Sequence, residues 1–258
     1  MSTQSMGDEG FKWFLGIIED TLDPLKLGRV RVRVFNEHDD NVDTDKLPWA
    51  QVLVPTTSAS LGGVGVSPTG MLFGTKVVGF FIDGHEKQFP MVLGSFHTIP
   101  GMKDDNHGVN TLARGQQTLL KQQVGPEPKS AYVAEYPYNH VTYTNSGHAI
   151  ELDDTPDNER IHIYHKSGTY IEVNHEGTIV AKSVKDDIEV IVNDKTIYVQ
   201  KGNTLIEADA GNITIVANKG DVNITAKTGK INVNAKSDVN VVSNKMITVL
   251  APRVNINA

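Results

Sequence analysis

The sequence predicts an all-β protein. Hydrophobic and polar residues alternate with a period of two almost throughout, no stretch carries the 3.6-residue period of an amphipathic helix, and the C-terminal part repeats a short strand at near-fixed spacing. Together these require sheets whose two faces differ in polarity.

After a tail at 1–10, the block 11–98 holds five strand candidates, "WFLGIIE", "GRVRVRVF", "WAQVLVP", "TKVVGFFI" and "PMVLGSF". Asp23-Pro24, Gly62-Gly63, Pro68-Thr69-Gly70 and Asp83-Gly84 supply turns between them. Five short strands of this kind suit a small closed barrel of the OB type, with Gly16, Gly28, Gly74, Gly79 and Gly94 where strands bend or approach closely.

Residues 99–140 lose the alternation and hold Pro126, Pro128 and Pro137, with one short helical piece expected around Gln116 to Gln123. They read as an extended linker wrapped across a surface, because a structureless connection this long inside a compact domain would be unusual.

The third domain, 141–258, opens with "HAIELDD", "RIHIYH", "TYIEVN" and "TIVAKS". From about 188 the first apolar residues of successive strands are Ile188, Ile197, Leu205, Ile213, Val222, Ile231, Val239, Ile247 and Val254, on average about eight apart. In the clearest copies the pairs Ile213/Ile215, Val222/Ile224, Ile231/Val233, Val239/Val241, Ile247/Val249 and Val254/Ile256 share one face, followed two residues on by Ala or Ser. Thr214, Asn223, Asn232, Asn240, Thr248 and Asn255 occupy the other. One such strip is too narrow to form a core and needs strips from neighbouring coils or other chains; a single-chain solenoid would have only three coils, so three chains around one axis are favoured, an intertwined triple-stranded β-helix or homotrimeric needle whose core is made of those twelve apolar side chains. At roughly 4.8 Å per level, nine levels extend about 43 Å.

Composition narrows the function classes. With 39% hydrophobic and 21% charged residues the chain is globular, and with no cysteine it has neither disulfides nor thiolate metal sites. A net charge of -7 disfavours general nucleic-acid binding. No apolar run is long enough for a membrane helix and no leader is evident at the start, so cytoplasmic synthesis without processing is expected. Arg29, Arg31 and Arg33 alternate on one strand and read as an outward face for protein contacts rather than an oligonucleotide site. His162 and His165 are three apart, hence on opposite strand faces, and with Tyr164 read as surface or trimer-contact residues, not metal ligands. Asp153-Asp154-Thr155-Pro156 reads as a turn with local side-chain bonding. Asp104-Asp105, Glu127 and Glu135 read as solvated loop acids, not the placed carboxylate pair of a glycosidase. No catalytic residue, cofactor or metal is expected.

"DPLKLGRVRVRV", "KLPWAQV", "TKVVGFFIDG" and "PMVLGSF" resemble the OB domain of the central spike (baseplate hub, tail-lysozyme) family of T-even-type contractile phage tails. "SGHAIELDDTPDNERIHIYHKSGTYIEV" resembles the segment that opens the β-helical needle there and in the VgrG spikes of type VI secretion. The resemblance implies a virion baseplate spike that pierces the host outer membrane on sheath contraction, seated on a hub protein at its OB end. It also implies a lysozyme domain between barrel and needle, for which the linker is too short. Only ten residues precede the barrel, which favours the phage family over VgrG. The ending "RVNINA" lacks a His-x-His tip, so a PAAR-like tip protein is expected to dock at Asn257 and Ala258. The competing readings are a VgrG-like secretion spike and a divergent peptidoglycan hydrolase.

Overall fold

The computed structural model describes residues 10–62, 64–66, 70–97 and 127–254, which divide between two units, Met1–Ile188 and Glu189–Ala258. Among the described residues there are strands and a single 3-10 turn at Thr44–Lys46, and no α-helix. The all-β expectation therefore holds.

The first five strands are β1 (Lys12–Asp20), β2 (Val30–Val34), β3 (Trp49–Val52), β4 (Lys76–Phe81) and β5 (Pro90–Ser95). They close into a barrel in the order β1-β2-β3-β5-β4, with β3 and β5 parallel and every other pairing antiparallel. Alternation decides what lies inside. In "VRVRV" the three valines are buried and join Phe14, Ile18, Ala50, Val77, Phe81 and Val92 in one core. Each larger member gains about 1.5–3 kcal/mol from leaving water. Two glycines are needed for closure: a Cβ on Gly16 would lie 2.5 Å from Val32 Cγ1, and one on Gly79 would press into the Met91 carbonyl and the Phe14 ring. Gly94 meets nothing within 4 Å and instead follows a bulge at Leu93.

A second bulge places charge. Ile18 pairs with Val32 and Asp20 with Arg31, leaving Glu19 as the extra residue of β1. Two consecutive carboxylates thereby face the same arginine row.

The other five strands are β6 (Asn139–Tyr143), β7 (Ala149–Asp153), β8 (Arg160–Tyr164), β9 (Tyr170–Val173) and β10 (Ile179–Lys182), an antiparallel meander in chain order. Three of its hairpins share one turn, in "TNSGH", "HKSGT" and "NHEGT". In each, the first residue's N–H donates to the carbonyl of the fifth, and the glycine N–H donates back to the carbonyl of the first. Gly147, Gly168 and Gly177 sit at φ 97°, 102° and 82°, the left-handed region that such a turn requires. Sheet pairing begins at Asn139, so the last residues of the expected linker belong to β6.

In the second unit the octads run as extended segments separated by bends. Among its described residues no strand pairs with another of the same chain.

Candidate functional site

Cross-strand pairing fixes what each face of the β6–β10 sheet carries. Ile150 pairs with Ile163, Leu152 with Ile161, Ile163 with Ile171, and Ile161 and Ile179 both with Val173. One face is thus apolar along its strands, with His140 and Thr142 at its rim, where the His140 imidazole lies 4.0 Å from the Asp154 carboxylate. The opposite face carries Asn139, Glu151, Asp153, Arg160, His162, Tyr164, Tyr170 and Glu172. The burial is the reverse of what polarity suggests: Glu151, Asp153, Arg160, His162 and Glu172 are buried, while Ile150, Leu152, Ile161, Ile163 and Ile171 each remain about half exposed.

The cause is the segment 127–138, which straps the charged face. Glu127 accepts from Tyr170 Oη at 2.8 Å and from Lys182 Nζ at 2.6 Å; Glu172 accepts from Ser130 Oγ at 2.6 Å and from the Ala131 N–H at 3.0 Å. Farther along, the Arg160 guanidinium lies 4.9 Å from the Tyr132 ring centroid and the Glu135 N–H donates to Thr155 Oγ1 at 3.0 Å. The chain thus crosses from the β10 edge to the β7–β8 turn before entering β6. The described part of the expected linker wraps its own sheet.

Beneath the strap, Arg160 bridges two carboxylates, donating to Glu172 Oε2 at 2.8 Å and to Glu151 Oε2, which also contacts His162 Nδ1 at 3.2 Å. Burial, the largest influence on Glu172, raises its pKa, but bonds from Ser130, Ala131 and Arg160 together hold it below 4.5. Glu151 behaves alike: burial raises it, and His162 and Arg160 bring it down further. The Tyr170 phenol is pushed up by burial and by its bond to Glu127. These shifts favour ionised carboxylates, the opposite of a general acid.

Several expected site residues change role. His162 is buried in the ionic cluster rather than on the surface, because Glu151 and the strap cover it; His165 on the opposite side of the strand is exposed. Glu127 is ion-paired and largely buried, not solvated. Asp153 does form the expected local turn, accepting from the Thr155 N–H at 3.1 Å and Oγ1 at 2.6 Å. Among the described residues no group of three or more His, Cys, Asp or Glu side chains could hold a metal. Asp104 and Asp105 lie outside the described residues.

On the barrel, Arg29, Arg31 and Arg33 are not free for partners. Arg29 pairs with Asp23 at 2.7 Å, Arg31 with Asp20 at 3.7 Å and Arg33 with Glu19 at 2.5 Å. Arg31 also donates to the Thr44 and Leu47 carbonyls and lies 4.6 Å from the Trp49 ring centroid, while Arg33 donates to the Asp39 and Val42 carbonyls. Arg29 ties down the β1–β2 connection, and Arg31 and Arg33 staple the β2–β3 connection, which corrects the reading of the row as a contact face. The β1 bulge carries the explanation, and alternation alone does not reveal it.

The octads repeat in geometry as well as in sequence. Ile213, Val222, Ile231, Val239, Ile247 and Val254 are 52–54% exposed, and Ile215, Ile224, Val233, Val241 and Val249 are 67–70% exposed. These six copies return to one environment, and nothing among the described residues covers it. Ile256, Asn257 and Ala258 lie outside the described residues.

A closed five-stranded barrel joined to a strapped meander and an array of uncovered octads defines an all-β barrel-and-repeat protein. Residues 33–163 match the family described as the Gp5 N-terminal OB domain, and the chain belongs to that family. Residues 166–258 match a family described as an uncharacterized protein conserved in bacteria. Similar proteins include Protein Gp5 of Vibrio phage KVP40, 31% identical over 268 residues that cover 77% of this chain and 63% of that protein. Another is the pre-baseplate central spike protein Gp5 of Enterobacteria phage T4, 34% identical over 169 residues, 58% of this chain. The matched region spans 63% and 28% of the lengths of these two relatives.

Proposed function

We propose that the chain is the structural central spike of a contractile phage tail baseplate, a homotrimeric needle that crosses the host envelope when the sheath contracts. The observation that carries this reading is the octad array. Each copy leaves an apolar strip open and its backbone without a strand partner among the described residues, although paired backbone groups are the rule in folded proteins. Three chains winding around one axis satisfy both needs at once, with the twelve strip residues inside and the Asn and Thr face in water. A rod hydrogen-bonded along its length can transmit axial force. The likeness to phage Gp5 proteins supports the baseplate assignment, with the barrel seated on a hub protein and a PAAR-like tip docked at Asn257 and Ala258. In this reading the domains fall at 11–98, 99–140 and 141–258, with the first strand of the last one starting two residues early, at Asn139.

The role is mechanical rather than enzymatic. Among the described carboxylates with shifted pKa values, Glu19, Asp23, Glu37, Glu151 and Glu172 are all lowered, whereas glycoside hydrolysis needs one acid held up. Native mass spectrometry of the full chain tests the assembly, with a species at three times 28.2 kDa expected and a folded monomer refuting it. Zymography on peptidoglycan tests the second claim, and a clearing zone would overturn it.

A further inference from the structure

We propose that the strapped face of the β6–β10 sheet binds ordered water between Asn139, Glu151, Asp153 and Arg160, and that this water fastens the strap where it enters β6. All four residues are enclosed within one chain, so the site stands whether or not three chains assemble.

Cross-strand register gathers these groups. Asn139 on β6 pairs with Asp153 on β7, which pairs with Arg160 on β8, so the three side chains stand in one row; Glu151 lies two residues from Asp153 on the same face. Each is at most 7% exposed, so bulk solvent does not serve it. Yet each is only partly bonded. Asp153 Oδ1 accepts from the Thr155 N–H and hydroxyl, and Glu151 Oε2 serves Arg160 and His162, while Asp153 Oδ2 and Glu151 Oε1 have no hydrogen-bond partner among the described residues. Arg160 commits its two Nη atoms to Glu172 and Glu151 and keeps Nε unbonded, and neither polar atom of the Asn139 amide is bonded. The one other buried side-chain atom in this condition among the described residues is Arg31 Nε in the barrel, so the shortfall is concentrated under the strap.

The chemistry of these atoms selects the ligand. Three accept, namely Asn139 Oδ1, Glu151 Oε1 and Asp153 Oδ2, and two donate, namely Asn139 Nδ2 and Arg160 Nε. A cation would fill the acceptors, leave both donors unmet and lie beside the guanidinium. An anion would fill the donors and face the carboxylates of Glu151, Asp153 and Glu172. Water donates and accepts, carries no charge and bridges two groups about 5–6 Å apart, a span that suits cross-strand neighbours whose Cβ atoms are about 4.5–5.5 Å apart. Buried water commonly makes about three bonds to polar groups of this kind. Its place also gives it a task. Asn139 directly follows the strap 127–138, so water held by its amide ties the end of the strap to β7 and β8.

A crystal structure of the full chain tests the site. The expected result is solvent density about 2.7–3.2 Å from at least one of the two donors and one of the three acceptors. Direct side-chain bonds that leave no such density, or an ion contacting oxygen atoms alone, would overturn the proposal. Asn139→Leu tests it in solution, because a hydrated and a dry amide differ in the sign of the effect. With water bound, the variant strips it of a partner, and exchange of the Ala131 amide, bonded to Glu172, should quicken about tenfold. With the amide dry, a leucine of similar size relieves an unmet polar group, so exchange that is unchanged or slower overturns the proposal. Faster exchange together with the parent density supports it. Should the variant fail to fold, the parent crystal structure decides alone.

Discussion

Replacing Arg160 by Met removes the only arginine of the strapped face while keeping an unbranched apolar stem. Arg160 and Glu151 have fully buried side chains, and that of Glu172 is 4% exposed, so both carboxylates lose their shared counter-charge inside the protein. Removing one partner of a buried pair costs about 3–5 kcal/mol, because the remaining charge stays desolvated. That is a large share of the roughly 5–15 kcal/mol that holds a domain together. The assay should isolate the sheet. Trp13 and Trp49 both belong to the barrel, so tryptophan fluorescence reports on the barrel alone. The Ala131 amide, bonded to Glu172, reports on the strap by hydrogen exchange. A loss of 3 kcal/mol corresponds to roughly hundredfold faster exchange at Ala131, since each 1.4 kcal/mol is tenfold. Barrel fluorescence should change little, and Lys46→Ala, which breaks an exposed pair with Asp43, should change neither readout. Adding Glu172→Gln to Arg160→Met should recover part of the protection. Exchange at Ala131 unaltered by Arg160→Met would refute the view that the ionic cluster holds the strap.

Acid should release the strap as well. Glu151 and Glu172 have folded-state pKa values below 4.5, so their contribution is complete above pH 4.5 and disappears as pH falls through the lowered values. An acid titration of Ala131 exchange measures this, and protection constant down to pH 2 would contradict it. Substituting Gly79 by Val should lower the barrel melting temperature by several degrees or prevent folding, because Met91 and Phe14 leave no room for a side chain. Asp23→Ala removes the acceptor for the Leu25, Leu27 and Arg29 N–H groups and should destabilise the barrel by about 2 kcal/mol in urea unfolding. Ile224→Asp places a carboxylate in the proposed needle core and should abolish an SDS-resistant trimer; unchanged assembly would place Ile224 outside the core.

Much of the fold is legible in local pattern. The alternation in "VRVRV" locates β2, because a half-buried strand has no other way to sort its side chains, and the short apolar run "KVVGFF" ahead of Asp-Gly locates β4, which is largely buried. The shared hairpin turns follow from a glycine at the same place in each five-residue stretch. Less legible is the arginine row. Arg31 and Arg33 are visibly outward, but their partners Asp20 and Glu19 face them together only because β1 is bulged, a feature of pairing rather than of composition.

By itself the sequence determined the all-β class, the barrel strands and the octad array, since each depends on spacings of two to nine residues along the chain. Tertiary structure alone decided which side of "AIELD" and "RIHIY" is closed within the chain. Hydrophobicity would send the isoleucines inward. Instead Arg160 meets Glu172 twelve residues away and Glu172 meets Ser130 forty-two away, and together they bury the charged face under the strap. A buried charge is tolerable only with its partners in place. Their meeting depends on the path of the whole chain, and it is this path that turns the apolar face outward.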